Sequence, residues 1–336
     1  MGVYLKKFET TAAYTAALPT IIRPNVSLIA ETRVVAYNPS TPPTPVETRV
    51  VATFNVTDTS NPTSIGFSSY TSGFSAIEID GVEQPSVVSA YTFDTVGEHT
   101  VKYTLTDSTT IGEGAFYDCT SLTTIDIPSG VTSIGQYTFY GCSSLTSCTI
   151  GSGVTSIGEG AFYSCSGLTS IVIPDSVISI GGFAFQSCSG LTSCTIGSGV
   201  TSIGMWAFNG CSSLTSIDIP NSVTSIGASA FQSCSGLTSC TIGSGVTSIG
   251  DDAFAWCVGL TSIVMPSGVT YIGNQSFRYC SGLTSITIEA TVPPTLGDDA
   301  FNSTNNCPIY VPSGSVEAYK SASGWSGYAS RIQAIS

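Results

Sequence analysis

Cysteine is the residue type with the most chemistry to offer in this 336-residue chain, which carries twelve of them beside a single histidine, His99. Eight, from Cys119 to Cys280, recur every 23 residues, while Cys148, Cys194 and Cys240 recur every 46. Thiols can bridge or hold zinc. A zinc site calls for ligands at short spacing, and the chain has no Cys-x-x-Cys pair. Column cysteines on adjacent repeats would lie about 5 Å apart with parallel side chains, which denies a disulfide its dihedral. Both columns therefore read as small buried hydrophobes. A Ser-His-Asp or Cys-His mechanism would have to use His99, yet no serine or cysteine sits in a nucleophile-elbow sequence. His99 is expected at the solvated surface. Asp126 and Asp218 are four repeats apart, about 19 Å at strand spacing, too far for a glycosidase pair. The glycines lead into no Gly-Lys-Ser/Thr, so they form no phosphate loop. These residues argue against an enzyme, a metal or a cofactor and leave binding.

Two surfaces compete for a binding role. One column reads Tyr137, Gly160, Phe183, Trp206, Ser229, Asp252 and Gln275, and Tyr140 and Tyr163 lie three residues beyond its first two members. Rigid rings on a turn supply apolar contact area at low entropic cost. They could equally cover loop edges or meet a neighbouring subunit. Trp256, Arg278 and Tyr279 form a smaller candidate. The second surface is the outward side of a strand in each repeat, from Thr124 and Asp126 through Ser170 and Val172 to Ser285 and Thr287. This hydroxyl ladder either makes contacts or keeps its face soluble.

What positions these residues is a repeated phrase, Ile-Gly-x-x-x-Phe-x-x-Cys-x-x-Leu-Thr-Ser-x-x-Ile-x-x-x-Val-Thr-Ser, between Ile111 and Tyr279. Its Phe recurs every 23 residues from Phe116 to Phe277. A unit this small cannot bury its own apolar residues, so units must stack and turn sequence columns into ladders. Leu122, Ile125 and Ile127 end in a strand-like alternation, and such strands should pair in parallel from coil to coil. Val131 and Ile134 mark a second inward segment. Gly-x-x-x-Phe-x-x-Cys then carries the chain around the far side with at most a brief helix. Pro128, Pro174, Pro220 and Pro266 alternate with Gly151, Gly197 and Gly243, giving a superperiod of 46.

This pattern resembles the leucine-rich repeats of BspA-type bacterial surface proteins, with their Ala-Phe-x-x-Cys-x-x-Leu signature. The resemblance implies a curved solenoid used for adhesion or recognition. The segments Cys307-Pro308-Ile309-Tyr310-Val311-Pro312 and Val316 to Lys320, with Trp325, resemble the terminal cap of that family, and residues 316 to 323 should form a short helix.

The expected fold is mostly β: eight coils over residues 108–289 and a cap over 290–336, preceded by a small immunoglobulin-like β-sandwich at 46–107. That sandwich is read from short alternating strands at residues 49–56, 64–67, 76–79, 87–93 and 100–105 and should cap the open edge of the solenoid. Residues 1–45 read as an attachment arm and proline-rich linker, with Tyr4, Leu5, Phe8 and Tyr14 as docking side chains. Charged residues are 9% of the chain and its net charge is −13, which argues against a nucleic-acid partner. No run approaches the roughly 18 apolar residues of a membrane span. Lysines open the chain, but Glu9 and the Thr- and Ala-rich stretch after it supply no signal-peptide core, so export by the general route is not expected. Finally, Tyr4 to Glu9, Pro24-Asn25-Val26-Ser27, Tyr37-Asn38-Pro39 and Phe54 to Ser60 resemble leaders of virion proteins from tailed phages of gut Bacteroidales. That resemblance implies a non-enzymatic virion protein, docked on other virion proteins by its arm and exposing the solenoid to a host-surface glycan or protein. The alternative is a bacterial cell-surface adhesin. Self-association is left open.

Overall fold

The computed structural model describes residues 48–66, 73–106 and 109–335; the arm, the linker and Tyr4, Leu5, Phe8 and Tyr14 lie outside them. The repeat becomes a solenoid with two parallel strands per coil. Short Ser-Ile strands, such as Ser133–Ile134 and Ser156–Ile157, build a nine-stranded sheet from Thr110–Ile111 to Thr295–Leu296. Longer strands, such as Ser170–Ile173 and Ser193–Ile196, pair in a register of one repeat, Ile171 opposite Cys194. Along them exposed and buried residues alternate, as a half-buried pleat requires.

Inside, every column becomes a ladder. Phe116 to Phe277 are wholly buried and stack with ring centroids 5.0–5.3 Å apart. Each such ring contributes roughly 1.5–3 kcal/mol relative to an exposed one. The threonines are used between coils: the Oγ1–H of Thr146, Thr192 and Thr238 donates to the carbonyl of the threonine one coil earlier, at 2.9–3.1 Å. The superperiod has a steric origin. A Cβ on Gly151 would sit 2.5 Å from the Pro128 carbonyl carbon, and Gly197 stands in the same relation to Pro174.

The expected immunoglobulin-like sandwich is replaced by a single extended sheet. Arg49–Val56 pairs antiparallel with Gly97–Leu105 on one edge and with the first long solenoid strand, Leu122–Ile127, on the other. Phe74–Ile79 and Val82–Glu83 extend the same sheet. The only other ladder among the described residues of this region joins Thr63–Ser64 to Ala90–Tyr91, too short to form a facing sheet. The reason is that both edges of Arg49–Val56 are taken and its apolar face shares the solenoid core: Tyr103 and Phe74 meet Phe116 at 5.1 and 5.9 Å. The edge that would otherwise be open is thereby covered.

At the other end Ile309–Val311 and Ile332–Ala334 extend the long-strand sheet, and Val316–Ser321 is the expected short helix. Tyr319 and Trp325 are fully buried there. Their donors satisfy strand-end carbonyls, Tyr319 Oη–H to Ala290 and Trp325 Nε1–H to Pro294, each at 2.8 Å. Among the described residues no helix is long and apolar enough to cross a membrane.

Candidate functional site

The turn between Ile-Gly and Cys is not helical. It is held open by left-handed residues at two places in each coil. Tyr137, Phe183, Trp206, Ser229, Asp252 and Gln275 have φ of 51–62°, with glycine in the same column at 114 and 160. Asp118, Ser164, Ser187, Ser233, Trp256 and Tyr279 form the second such column, at 54–65°. This backbone turns successive N–H groups to different partners. The Tyr137 and Phe139 N–H groups donate to Glu159 and Ala161 of the next coil at 2.8 and 2.7 Å, while the Tyr140 N–H closes a local turn on Tyr137 at 3.1 Å. An L-residue pays about 1–2 kcal/mol in this conformation, and bulky residues are rare there. Rings at 137, 183, 206, 256 and 279 are thus held where glycine would be least strained.

Five of the aromatic residues singled out from sequence come together. Tyr137, Tyr140, Tyr163, Phe183 and Trp206, with Glu159 and Gln186, line a cleft of about 540 Å³. Tyr117, Tyr140 and Tyr163 stack with centroids 4.6 and 4.8 Å apart, and Tyr137 meets Tyr140 edge-on at 6.2 Å. Phe183 lies 6.2 Å from Trp206. All five lining rings are half-buried, so they are fixed yet reachable. The Tyr137 hydroxyl donates to Glu159 Oε1 at 2.8 Å; that bond, with some burial and the nearby carboxylates, pushes the phenol pKa up. Tyr140 is also pushed up, by burial first and then by Tyr117 and Asp118. Gln186 Nε2–H donates to Asn209 Oδ1 at 3.3 Å, and Asn209 Nδ2–H to Gln232 Oε1 at 3.1 Å, so an amide ladder continues the tyrosine column.

Sequence reasoning missed Tyr117, Glu159 and Gln186. Period alone would have found Tyr117 and Gln186, which flank Tyr140 and Tyr163 in their column. Glu159 had no such signal, since its role depends on the Tyr137 ring reaching over Gly160.

Trp256, Arg278 and Tyr279 also meet, in coils further along. The Trp256 and Tyr279 rings stack at 4.1 Å, the Arg278 guanidinium lies 4.7 Å above Tyr279, and Gln275 Oε1 accepts from it at 2.8 Å. Beside them, burial and the charge of Asp251 push the Asp252 carboxyl pKa up, with Arg278 pulling it back. On the strand-face ladder the most exposed apolar members are Val172 and Val264, at 61% and 47%.

His99 departs from the solvated position expected of it. It is buried against Phe93, with Nδ1 2.6 Å from Asp80 Oδ2 and Nε2 2.9 Å from the Thr95 carbonyl. A carbonyl can only accept, so Nε2 carries a proton and offers no lone pair to activate a nucleophile. Burial pulls the His99 pKa down, but the Asp80 and Thr95 contacts outweigh it and leave it raised. All twelve cysteines are unbridged. In the main column each S–H from Cys142 to Cys280 donates to the Phe carbonyl 26 residues earlier, as Cys142 does to Phe116 at 3.0 Å, while Cys119 meets the Ser64 hydroxyl at 3.7 Å. Burial pushes the Cys119, Cys188 and Cys234 thiols up to about 12, so they are not nucleophiles. Among the described residues no group of three or more His, Cys, Asp or Glu is placed to hold a metal.

Stacked 23-residue coils, a Leu-x-x-Ile-x-Ile strand in each and atypical caps at both ends define a leucine-rich-repeat solenoid protein. More narrowly, the family model for the BspA type leucine rich repeat region matches residues 86–215 and 204–322, and the chain belongs to that family. Among solved structures, a leucine-rich repeat protein of T. pallidum is 32% identical over 45% of this chain and 71% of its own, with a TM-score of 0.44. A leucine rich cell surface protein of Faecalibacterium prausnitzii is 22% identical over 60% and 82% of the two chains, with a TM-score of 0.28. For a leucine-rich repeat protein of Bacteroides ovatus the values are 23%, 73%, 90% and 0.29. No curated protein matches the sequence.

Proposed function

We propose that the protein is a non-enzymatic recognition or adhesion protein that grips its partner through the aromatic cleft on the turn side of the solenoid. The observation that carries this reading is the convergence of Tyr137, Tyr140, Tyr163, Phe183 and Trp206 on one cleft, with three of the five in left-handed backbone. Every coil carries a left-handed residue at this place, and bulky rings there instead of glycine are the costlier choice, which supports a use for them at the surface. Phe183→Ser and Trp206→Ser, measured by flow cytometry of labelled protein on intact bacterial and epithelial cells, should each weaken binding about tenfold or more. Binding equal to that of the unaltered protein would reject the cleft as the contact surface.

For the place of display we propose a phage particle, supported by the resemblance of residues 4–9, 24–27, 37–39 and 54–60 to phage virion leaders. The bacterial cell surface is the second reading, favoured by membership of the BspA-type family. Peptide mass spectrometry on density-purified particles and on washed cell envelopes from one culture separates them. Stoichiometric recovery in particles supports the virion, and recovery only in envelopes replaces it with the adhesin.

A further inference from the structure

The aromatic column of the turn lacks one rung. Between Tyr137 and Phe183 stands Gly160, at φ +57°, and a Cβ there would lie 2.5 Å from two carbons of the Tyr137 ring. The glycine therefore does two things at once: it accepts the left-handed turn without strain, and it lets the Tyr137 ring lie across its coil in the place a side chain at 160 would take. That ring becomes one wall of the cleft, with Tyr163, Phe183 and Trp206 among the others.

We propose that the cleft receives a pyranose ring of a neutral, hydroxyl-rich glycan, bound by stacking on Phe183 and its neighbours and by hydrogen bonds from sugar hydroxyls to Glu159 and Gln186. This deepens, and rests on, the reading of the cleft as the contact surface. A pyranose has an apolar C–H face and a rim of hydroxyl groups, and it needs flat rings and acceptors side by side. The cleft has both. Glu159 is a carboxylate with one oxygen already taking the Tyr137 hydroxyl, and Gln186 Oε1 is buried with no donor from the protein. A desolvated acceptor without a donor is costly, and a hydroxyl that reaches it recovers that cost. No Lys or Arg lines the cleft, and the chain carries a net charge of −13, so an acidic sugar meets repulsion rather than a counter-charge. A volume of about 540 Å³ suits more than one sugar ring and leaves a lysine or arginine head largely uncontacted. The rings are already fixed by stacking and backbone, so little order has to be imposed on binding.

The test uses the full chain with Trp256→Phe, which leaves Trp206 as the one indole within reach of a ligand, since Trp325 is fully buried and the chain has three tryptophans. Trp206 emission is titrated with cellohexaose, maltohexaose and mannohexaose as neutral probes, polygalacturonate as the acidic probe and poly-L-lysine as the cationic one. A neutral oligosaccharide should shift the emission, and Phe183→Ser should lower its affinity about tenfold or more. Gly160→Asn should do the same by pushing the Tyr137 ring out of the cleft wall, since its Cβ would stand 2.5 Å from two ring carbons, while the circular dichroism keeps the parent's form because asparagine tolerates left-handed backbone. A shift with poly-L-lysine or polygalacturonate alone overturns the glycan. So does cleft-dependent adhesion to cells that survives periodate cleavage of their sugar diols, an outcome that leaves the recognition reading standing. Adhesion indifferent to Phe183→Ser removes both.

Discussion

Trp206 should be replaced with less damage by glycine than by alanine. Its φ is 62°, and the same position in two earlier coils is Gly114 and Gly160, at 59° and 57°. Holding a Cβ in that conformation costs about 1–2 kcal/mol. Glycine, for its part, gives up about 0.4–1 kcal/mol relative to alanine through its freedom in the unfolded chain. Trp206→Gly and Trp206→Ala both delete the indole and its contact with Phe183, so that loss cancels between them. The glycine variant should be the more stable by roughly 0.5–1 kcal/mol, the reverse of the order in right-handed helical backbone. In a unit of this size the difference amounts to about 1 °C in melting temperature. Paired urea titrations followed by circular dichroism resolve it, and both variants should weaken the binding of labelled protein to cells equally. Equal stability, or alanine ahead, would refute the left-handed turn at position 206. The strain argument that ties the ring to function would fall with it.

Gly151→Ala should destabilise the solenoid by roughly 1–3 kcal/mol, the range for an overpacked site, because its Cβ would stand 2.5 Å from the Pro128 carbonyl carbon. Alanine at the neighbouring exposed Ser152 serves as control, and equal urea midpoints for the two would contradict the steric origin of the superperiod. The Asp80–His99 pair should give a pH-dependent contribution. The His99 pKa is raised above 6.5, so its share is complete below that value and lost as pH rises through the folded pKa. Burial tends to raise the Asp80 pKa, but hydrogen bonds from His99 and the Thr100 N–H, with the histidine charge, leave it below 3.8. Its share is complete above 3.8 and lost as pH falls through the folded pKa. The melting-temperature gap between the parent and His99→Gln should therefore be widest between 3.8 and 6.5. A gap independent of pH would mean that the pair does not form.

Where a residue's partner lies one repeat away, the sequence was legible; where it lies across the fold, it was not. The Phe, Leu and Cys columns were readable because their neighbours are copies of themselves, and the same regularity carried Tyr137, Phe183 and Trp206. The strand Arg49–Val56 was readable as a strand, but its alternation does not say which element takes its second edge. That edge went to Leu122–Ile127, and a separate sandwich was expected in consequence. His99 looked exposed beside Glu98 because Asp80, its actual partner, comes from the other side of a hairpin-rich sheet.

The sequence by itself determined the coil length, the ladders and the absence of nucleophile and metal motifs, because a strict period forces like residues to stack on like. Gly114 and Gly160 stand in the same column as the three rings, and that shared position already held the left-handed turn for a reader who asked what glycine and tryptophan could have in common there. Only the tertiary structure decided that the rings close a cleft, that Tyr137 crosses Gly160 to reach Glu159, and that Gln186 is left with a free acceptor. Those facts depend on the offset between adjacent coils and on the sign of φ, which place side chains in space and leave no mark in the order of residues.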